Sequence, residues 1–193
     1  MSSSKKPVRK VIFLKNMVCH CCIRLLRKEL ERMEEITIHE IIAGKIILSF
    51  VPSTITWKKV EKIIHDLDFE IIAEKESILV EQLKLAVIEL VHNTTYNSMI
   101  NNSDFLVGKF NRSYPYLSAV FSKKENMTLE KFIIEQKIRK VRELIAQEDL
   151  TLSEIAFVMG YSSVQYLSTQ FKKVTGISVT EFKGKPILTE IDD

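Results

Sequence analysis

Three cysteines and a histidine lie close together in the segment Asn16-Met17-Val18-Cys19-His20-Cys21-Cys22. Cys19 and Cys22 are three residues apart, so a thiol in a loop and a thiol in the first turn of a following helix can point at one ion. The N-terminus of such a helix and the basic residues on either side of the segment favour the thiolate form. Two thiolates with few other donors are typical ligands of a soft ion such as Cu(I).

Other chemistry is open to the same loop. His20 and Cys21 are extra donors that could raise the coordination number and admit Zn(II), although consecutive residues cannot easily surround one ion. Cys21 could equally be a buried side chain, and a cysteine pair can also do thiol–disulfide redox chemistry. Three interpretations therefore stand: a metal site at Cys19 and Cys22, a structural or partner-binding role without metal, and redox chemistry.

A second group of candidate residues lies within the segment from Thr151 to Gly184. Apolar residues at helical spacing predict a short helix, in which the small Ala156 lets another helix pack closely. Gly160 lies where the chain must turn, and glycine accepts positive φ there. A second helix, Val164 to Val174, is closed by Gly176, and this arrangement is typical of a DNA-binding helix-turn-helix. The buried side of the second helix is predicted to comprise Val164, Leu167, Phe171 and Val174.

This segment resembles the DNA-binding domain of the AraC/XylS family of transcription regulators. The resemblance is carried by an Ile-Ala pair, a Gly-aromatic turn, a Tyr-Leu-Ser core and a Phe-Lys-Lys ending, here Ile155-Ala156, Gly160-Tyr161, Tyr166-Leu167-Ser168 and Phe171 to Gly176. The family commonly continues with Thr-Pro, where this chain has Ser178-Val179. The resemblance implies two helix-turn-helix units joined by a long helix, with recognition helices that enter successive major grooves.

A weaker copy of the pattern lies upstream, as the resemblance implies. Ser103 to Phe110 predicts a first helix, Asn111 to Ser113 a turn, and Tyr114 to Lys124 a second helix. In that second helix, Tyr116-Leu117-Ser118 and Phe121-Ser122-Lys123-Lys124 echo Tyr166-Leu167-Ser168 and Phe171-Lys172-Lys173. Thr128 is predicted to cap a connecting helix that ends at Gln147. That helix spans about 30 Å at about 1.5 Å per residue, close to the roughly 34 Å repeat of the major groove. Its predicted buried side comprises Phe132, Ile133, Ile138, Val141, Leu144 and Ile145.

Residues that contact DNA are assigned by the resemblance. Those implied to face bases are Val164, Gln165, Ser168 and Thr169 in the second unit, with Pro115, Tyr116, Ser118 and Ala119 as counterparts in the first. Glutamine can pair with adenine, and the methyl groups of Thr or Val can contact that of thymine. Phosphate contacts are assigned to Lys172, Lys173, Lys123 and Lys124, with an ordinary solvated charged face as the alternative.

The N-terminal part of the chain has the predicted element order βαββαβ. The strands are predicted at 8–14, 36–42, 45–51 and 69–73, and the helices at 22–33 and 57–67. This order predicts a ferredoxin-like arrangement, with two helices on one face of an antiparallel sheet. Residues 8–75 also resemble the heavy-metal-associated domain of copper chaperones and metal-pumping ATPases, whose loop motif is matched here by Met17, Cys19 and Cys22. Asn16 replaces the family's glycine, and asparagine also tolerates left-handed backbone.

These patterns predict an α+β protein: a ferredoxin-like domain at 8–75 and an all-α domain with two helix-turn-helix units at 76–185. Ser77 is predicted to cap the first helix of the second domain, and a polar loop is predicted at 92–102. The net charge of +3 is only mildly basic. The sequence shows no apolar run that suggests a membrane span and no catalytic constellation, and its cysteine usage favours a cytoplasmic location.

The leading hypothesis is a sequence-specific transcription regulator that is not an enzyme. Its expected partner is double-stranded DNA, and RNA polymerase and a metal chaperone are further candidate partners. Its N-terminal domain either binds a thiophilic metal such as Cu(I) or recruits a partner. The alternative is a metal-trafficking or partner-docking protein that does not bind DNA.

Overall fold

The structure is a computed structural model that describes residues 6–93 and 101–184. The chain forms two compact units, Met1–Leu85 and Ala86–Asp193. Most of the predicted polar loop at 92–102 lies outside the described residues, as does residue 185, the predicted end of the second domain.

The first unit contains one antiparallel sheet of four strands. Its strands lie in the order β2-β3-β1-β4, and β1 pairs with β3 and β4 as the central strand of that group. The βαββαβ order predicted from the sequence is observed, with boundaries that differ by a few residues. The elements are β1 (Val8–Lys15), α1 (His20–Glu31), β2 (Ile36–Ile42), β3 (Lys45–Phe50), α2 (Trp57–Asp66) and β4 (Glu70–Ile72), followed by α3 (Lys75–Asn93).

The core of the first unit lies between the sheet and the two helices. Alternate residues of each central strand are buried, because successive side chains of a strand point to opposite faces. The helices contribute residues at helical spacing, such as Leu26 with Leu30 and Val60 with Ile64. Fully buried members of the cluster include Leu14, Leu26, Leu30, Ile46, Leu48, Val60 and Ile64.

Two turns of the first unit require unusual backbone geometry. Asn16, which directly follows β1, has a φ of 60°, so the left-handed conformation that asparagine tolerates is observed at this position. Gly44 joins β2 to β3 with a φ of +70°, and a Cβ built there would lie 2.8 Å from Leu85 Cδ1. The backbone conformation and the close neighbour both favour glycine at this turn.

The second unit is helical. After α3, its helices are α4 (Asn102–Phe110), α5 (Tyr114–Lys124), α6 (Leu129–Gln147), α7 (Leu152–Val158), α8 (Val164–Thr175) and α9 (Val179–Lys183). The connecting helix α6 contacts α5, α7 and α8. Its buried side chains are Leu129, Ile133, Ile138, Val141 and Ile145, whereas Phe132 and Leu144 are only half-buried.

Side-chain caps fix where most of these helices begin. Thr128 Oγ1 accepts from the Lys131 amide at 3.1 Å, as predicted. Thr151 and Glu154 form a capping box at α7, and Gly176 ends α8 with a φ of 79°. The prediction for Ser77 is wrong: α3 begins at Lys75, and the Ser77 hydroxyl donates to Glu74 Oε2 at 2.8 Å.

Ala156 lies in the contact between α7 and its neighbours, and it is only 3% exposed. We expect Ala156→Leu to lower the free energy of unfolding by about 1–3 kcal/mol, because a larger side chain overpacks a closed contact. Thermal or urea unfolding of the two proteins measures the change. Ala119→Leu is the matched control, since Ala119 is exposed on α5 and leucine is nearly as good a helix former as alanine. Equal stability of the Ala156 and Ala119 variants would contradict the observed helix pairing.

Candidate nucleic-acid interface and thiol loop

Helix α8 presents a polar face opposite its buried side. Leu167 and Phe171 are buried, and the residues on the far side of the helix reach solvent. Of the residues implied to contact DNA, Gln165, Thr169, Lys172 and Lys173 are exposed on this far side, and Val164 and Ser168 are half-buried beside it. Val174, predicted on the buried side, is instead 40% exposed, and it lies in the last turn of α8.

Thr169 has a restricted hydrogen-bonding role. Its hydroxyl donates to the Gln165 carbonyl oxygen at 2.9 Å. A threonine hydroxyl has one proton, so Thr169 can offer an incoming ligand only an acceptor oxygen or an apolar contact. Gln165, by contrast, carries both a carbonyl oxygen and an amide NH₂, and this is the pair of groups that reads an adenine edge.

Tyr166 belongs to the same surface, although the sequence reasoning treated it only as part of a family motif. It is 50% exposed, and its ring meets that of Tyr161 edge-on with centroids 5.9 Å apart. Gln170 Nε2 donates to Tyr166 Oη at 3.2 Å. The signal that could have identified it is its helical position one residue from Gln165 and three from Thr169.

The turn between α7 and α8 is held by a lysine from the connecting helix. Lys137 Nζ donates to the Met159 carbonyl oxygen at 3.2 Å and lies 5.7 Å from the centre of the Tyr161 ring. Burial lowers the pKa of Lys137 and raises the pKa of Tyr161 to about 12, so the phenol is neutral at ordinary pH. Gly160 completes the turn with a φ of 70°.

Helix α5 has a similar division into buried and exposed sides. Leu117, Val120 and Phe121 are buried. Of its candidate residues, Pro115, Tyr116, Ala119, Lys123 and Lys124 are exposed and Ser118 is half-buried. The preceding turn adds a cation that sequence reasoning missed, because the Arg112 guanidinium lies 6.0 Å from the centre of the Tyr116 ring.

The loop before α1 brings Cys19 and Cys22 together. Their sulfurs are joined as a disulfide, with Cα atoms 5.3 Å apart. Cys19 is the N-cap of α1, and its Sγ accepts from the Cys22 amide at 3.1 Å. Met17 is buried at 1% exposure, whereas His20 and Cys21 are exposed.

The donor set of this loop fits a two-thiolate ion better than a closed zinc site. Within residues 6–93 and 101–184, no three His, Cys, Asp or Glu side chains are grouped as a metal site would require. A structural zinc site needs four protein ligands, and this loop does not supply them. A soft ion such as Cu(I) accepts thiolates alone, and the reduced pair Cys19 and Cys22 would provide both.

The fold and the exposed face of α8 are those of a helix-turn-helix DNA-binding domain, and the similarities of sequence support the AraC/XylS type for the second unit. Residues 106–185 match the family described as a helix-turn-helix domain. The chain is 35% identical over 63 residues to the Xylose operon regulatory protein of Haemophilus influenzae. It is 27% identical over 97 residues to the Msm operon regulatory protein of Streptococcus mutans.

Both relatives are much longer than their matched regions. The match to the first covers 33% of this chain and 16% of the relative, and the match to the second covers 50% and 34%. Among solved structures, the C-terminal domain of AraT, a response regulator from Geobacillus stearothermophilus, has a similar fold. That comparison has a TM-score of 0.50 at 22% identity and covers 62% of this chain and 95% of the other.

No helix within the described parts of the chain combines the length and apolar character that crossing a membrane requires.

Proposed function

We propose that the protein is a sequence-specific DNA-binding transcription regulator. The observation that carries this function is the exposed face of α8, where Gln165 and Thr169 lie beside Lys172 and Lys173. Base-reading groups and phosphate-binding cations on one helix are what a recognition helix needs in a major groove. A transcription regulator acts at the DNA that it binds. RNA polymerase is therefore a further partner that we propose for this protein.

The connecting helix supports the use of both helix-turn-helix units. Helix α6 has 19 residues, so it spans about 28 Å at about 1.5 Å per residue. This length is near the roughly 34 Å that separates successive major-groove turns on one face of the duplex. We propose that α5 and α8 enter those successive grooves, with α5 contributing less base discrimination because Pro115 and Ala119, two of its candidate base-facing residues, carry no side-chain hydrogen-bonding group.

Selection of bound fragments from random DNA tests this function. We expect recovery of one preferred site, and a mobility shift at moderate salt that distinguishes it from random DNA. A metal-trafficking or docking protein would shift neither, and that outcome would overturn the proposal.

Gln165→Ala is expected to weaken binding to the preferred site by about 1–3 kcal/mol while leaving non-specific binding nearly unchanged. Lys173→Ala should weaken binding to all sequences alike and reduce the salt dependence, because it removes a phosphate contact. Affinities measured over a salt series on preferred and random DNA separate the two effects. Gln147→Ala, an exposed glutamine at the end of α6, is the control. Parallel losses on both DNAs in both variants would show that the faces of α8 are wrongly assigned.

For the first unit we propose a ferredoxin-like domain, similar to heavy-metal-associated domains, that binds one thiophilic ion such as Cu(I). The observation that favours this function is the Cys19 and Cys22 pair, which lies at the start of α1 on a loop that ends β1. When bound, the ion would supply a charge and a fixed bridge between the loop and the helix. A metal chaperone is the kind of partner that would deliver it.

Anaerobic titration of the reduced protein with Cu(I) against a competing chelator, with and without its DNA site, tests the metal function. If metal occupancy changes DNA affinity, DNA must change metal affinity by the same factor. We expect one Cu(I) per chain. Binding no greater than that of a variant lacking cysteines would remove the metal function and leave the DNA function intact.

A further inference from the structure

A buried carboxylate in the first unit contacts the backbone of the thiol loop. Glu81 on α3 is 6% exposed and is the buried charged residue of the described structure. The Asn16 amide donates to Glu81 Oε2 at 3.0 Å, and Lys84 Nζ donates to Glu81 Oε1 at 2.8 Å. The carboxylate therefore uses one oxygen to neutralise its charge and the other to hold a residue 65 positions earlier in the chain.

Burying the Glu81 carboxylate costs free energy, so the place where its hydrogen bond is made indicates which part of the chain it stabilises. A buried charge is tolerated only when it is paired and hydrogen-bonded. A charge-assisted bond to a backbone N–H is among the stronger hydrogen bonds in proteins. Here it is made to the residue with left-handed backbone, Asn16, where β1 ends and the loop to Cys19 begins.

The loop has three fixed points, and Glu81 supplies the first. Met17 is buried, and Cys22 is held in the first turn of α1. The placement of Cys19 relative to Cys22 therefore depends on how the chain leaves Asn16. Holding that departure point reduces the conformational freedom that the loop must lose when both thiolates take one ion.

We propose that Glu81 is a positioning residue for the Cys19 and Cys22 pair, and that through it the state of this pair is linked to the order of α3. The part of this proposal that concerns ion binding rests on the metal function proposed above. The link follows from reciprocity: if the Asn16 to Glu81 bond favours ion binding, then ion binding must favour that bond and the α3 turn that carries it.

The test compares the full-length wild type with Glu81→Gln and Glu81→Leu after reduction and anaerobic exchange. Glutamine keeps an acceptor oxygen of nearly the same shape, and leucine removes it. Gln82→Ala, an exposed change at the next position of α3, is the matched control. The readouts are hydrogen exchange of the Asn16 amide and of α3 residues 75–85, Cu(I) affinity against a chelator, and the alkylation rate of Cys19 relative to the exposed Cys21.

In Glu81→Leu we expect Asn16 exchange to accelerate about tenfold or more and Cu(I) affinity to fall by a similar factor, since a hydrogen bond to a charged group is lost. The Cys19 alkylation rate relative to that of Cys21 should differ from the wild-type ratio, because a looser loop changes how the Cys22 amide holds the Cys19 sulfur. Glu81→Gln should lie between wild type and Glu81→Leu, and Gln82→Ala should match wild type. Cu(I) should slow exchange in α3 of the wild type but not of Glu81→Leu.

The outcomes separate this proposal from the metal function. If the wild type binds no Cu(I), the proposed metal function is wrong, and so is the proposed link between ion binding and the order of α3. The exchange and alkylation readouts still decide whether Glu81 positions the thiols. Wild-type values of Cu(I) affinity and Cys19 reactivity in Glu81→Leu would overturn the positioning role, even if Asn16 exchange rose. If Glu81→Leu does not fold, Glu81→Gln carries the same decision through the same readouts.

Discussion

Phe171→Ala is expected to lower the free energy of unfolding of the C-terminal unit by about 3–5 kcal/mol. Phe171 is fully buried, and its ring meets that of Phe182 edge-on, with centroids 5.5 Å apart. The substitution loses the transfer free energy of a large aromatic side chain and leaves a cavity between α8 and α9. Domains of this size are stable by only about 5–15 kcal/mol, so this loss is a large fraction of the total free energy of unfolding.

Urea unfolding monitored by circular dichroism measures this effect, and DNA affinity measured at low temperature should fall with the folded fraction. Phe157→Ala is the matched control, since Phe157 is 71% exposed on α7. Exposed positions usually change stability by no more than about 0.5 kcal/mol. If Phe157→Ala destabilised the protein as much as Phe171→Ala, the orientation of the second helix-turn-helix unit would be wrong.

Cys19→Ser and Cys22→Ser are each expected to abolish tight Cu(I) binding. The two sulfurs are the thiolates that the loop brings together, and among the described residues no third His, Cys, Asp or Glu side chain is grouped with them. A hydroxyl is a hard donor that does not replace a thiolate at a soft ion. A site with one remaining thiolate therefore cannot compete with a strong chelator.

Anaerobic chelator competition measures the loss, and Cys21→Ser is the control. Cys21 is exposed and is not part of the disulfide, so this variant should retain one Cu(I) per chain. Loss of binding in Cys21→Ser alone would assign the ion to a different donor pair. Retention in all three single variants would mean that the bound copper is adventitious.

The element order and the helix starts are predictable because their signals are local. The caps at Thr128 and Gly176, the turn at Gly160 and the alternating strands each depend on residues a few positions apart. The same holds for the exposure of Gln165 and Lys172, which follows once the buried side of α8 is known. Small errors remain at helix ends, where Val174 loses the cover that its periodicity predicts.

The contacts that support the two candidate sites are not predictable in this way. Lys137 reaches the Met159 carbonyl across 22 positions, and Glu81 reaches Asn16 across 65. Periodicity assigns both residues to helices but does not reveal which distant backbone group each will meet. The burial of Glu81 is unexpected for its residue type, since Glu is almost never buried without a partner. Only the tertiary structure supplies that partner.

The sulfur that would bind an ion is also the atom that starts α1. Cys19 Sγ accepts the Cys22 amide proton, a task that a serine hydroxyl performs at least as well at an N-cap. Exchanging this sulfur for oxygen therefore removes the soft donor but preserves the helix start. A Cys19→Ser protein should melt like its parent after reduction, so ligand affinity and folding can be separated by changing a single atom.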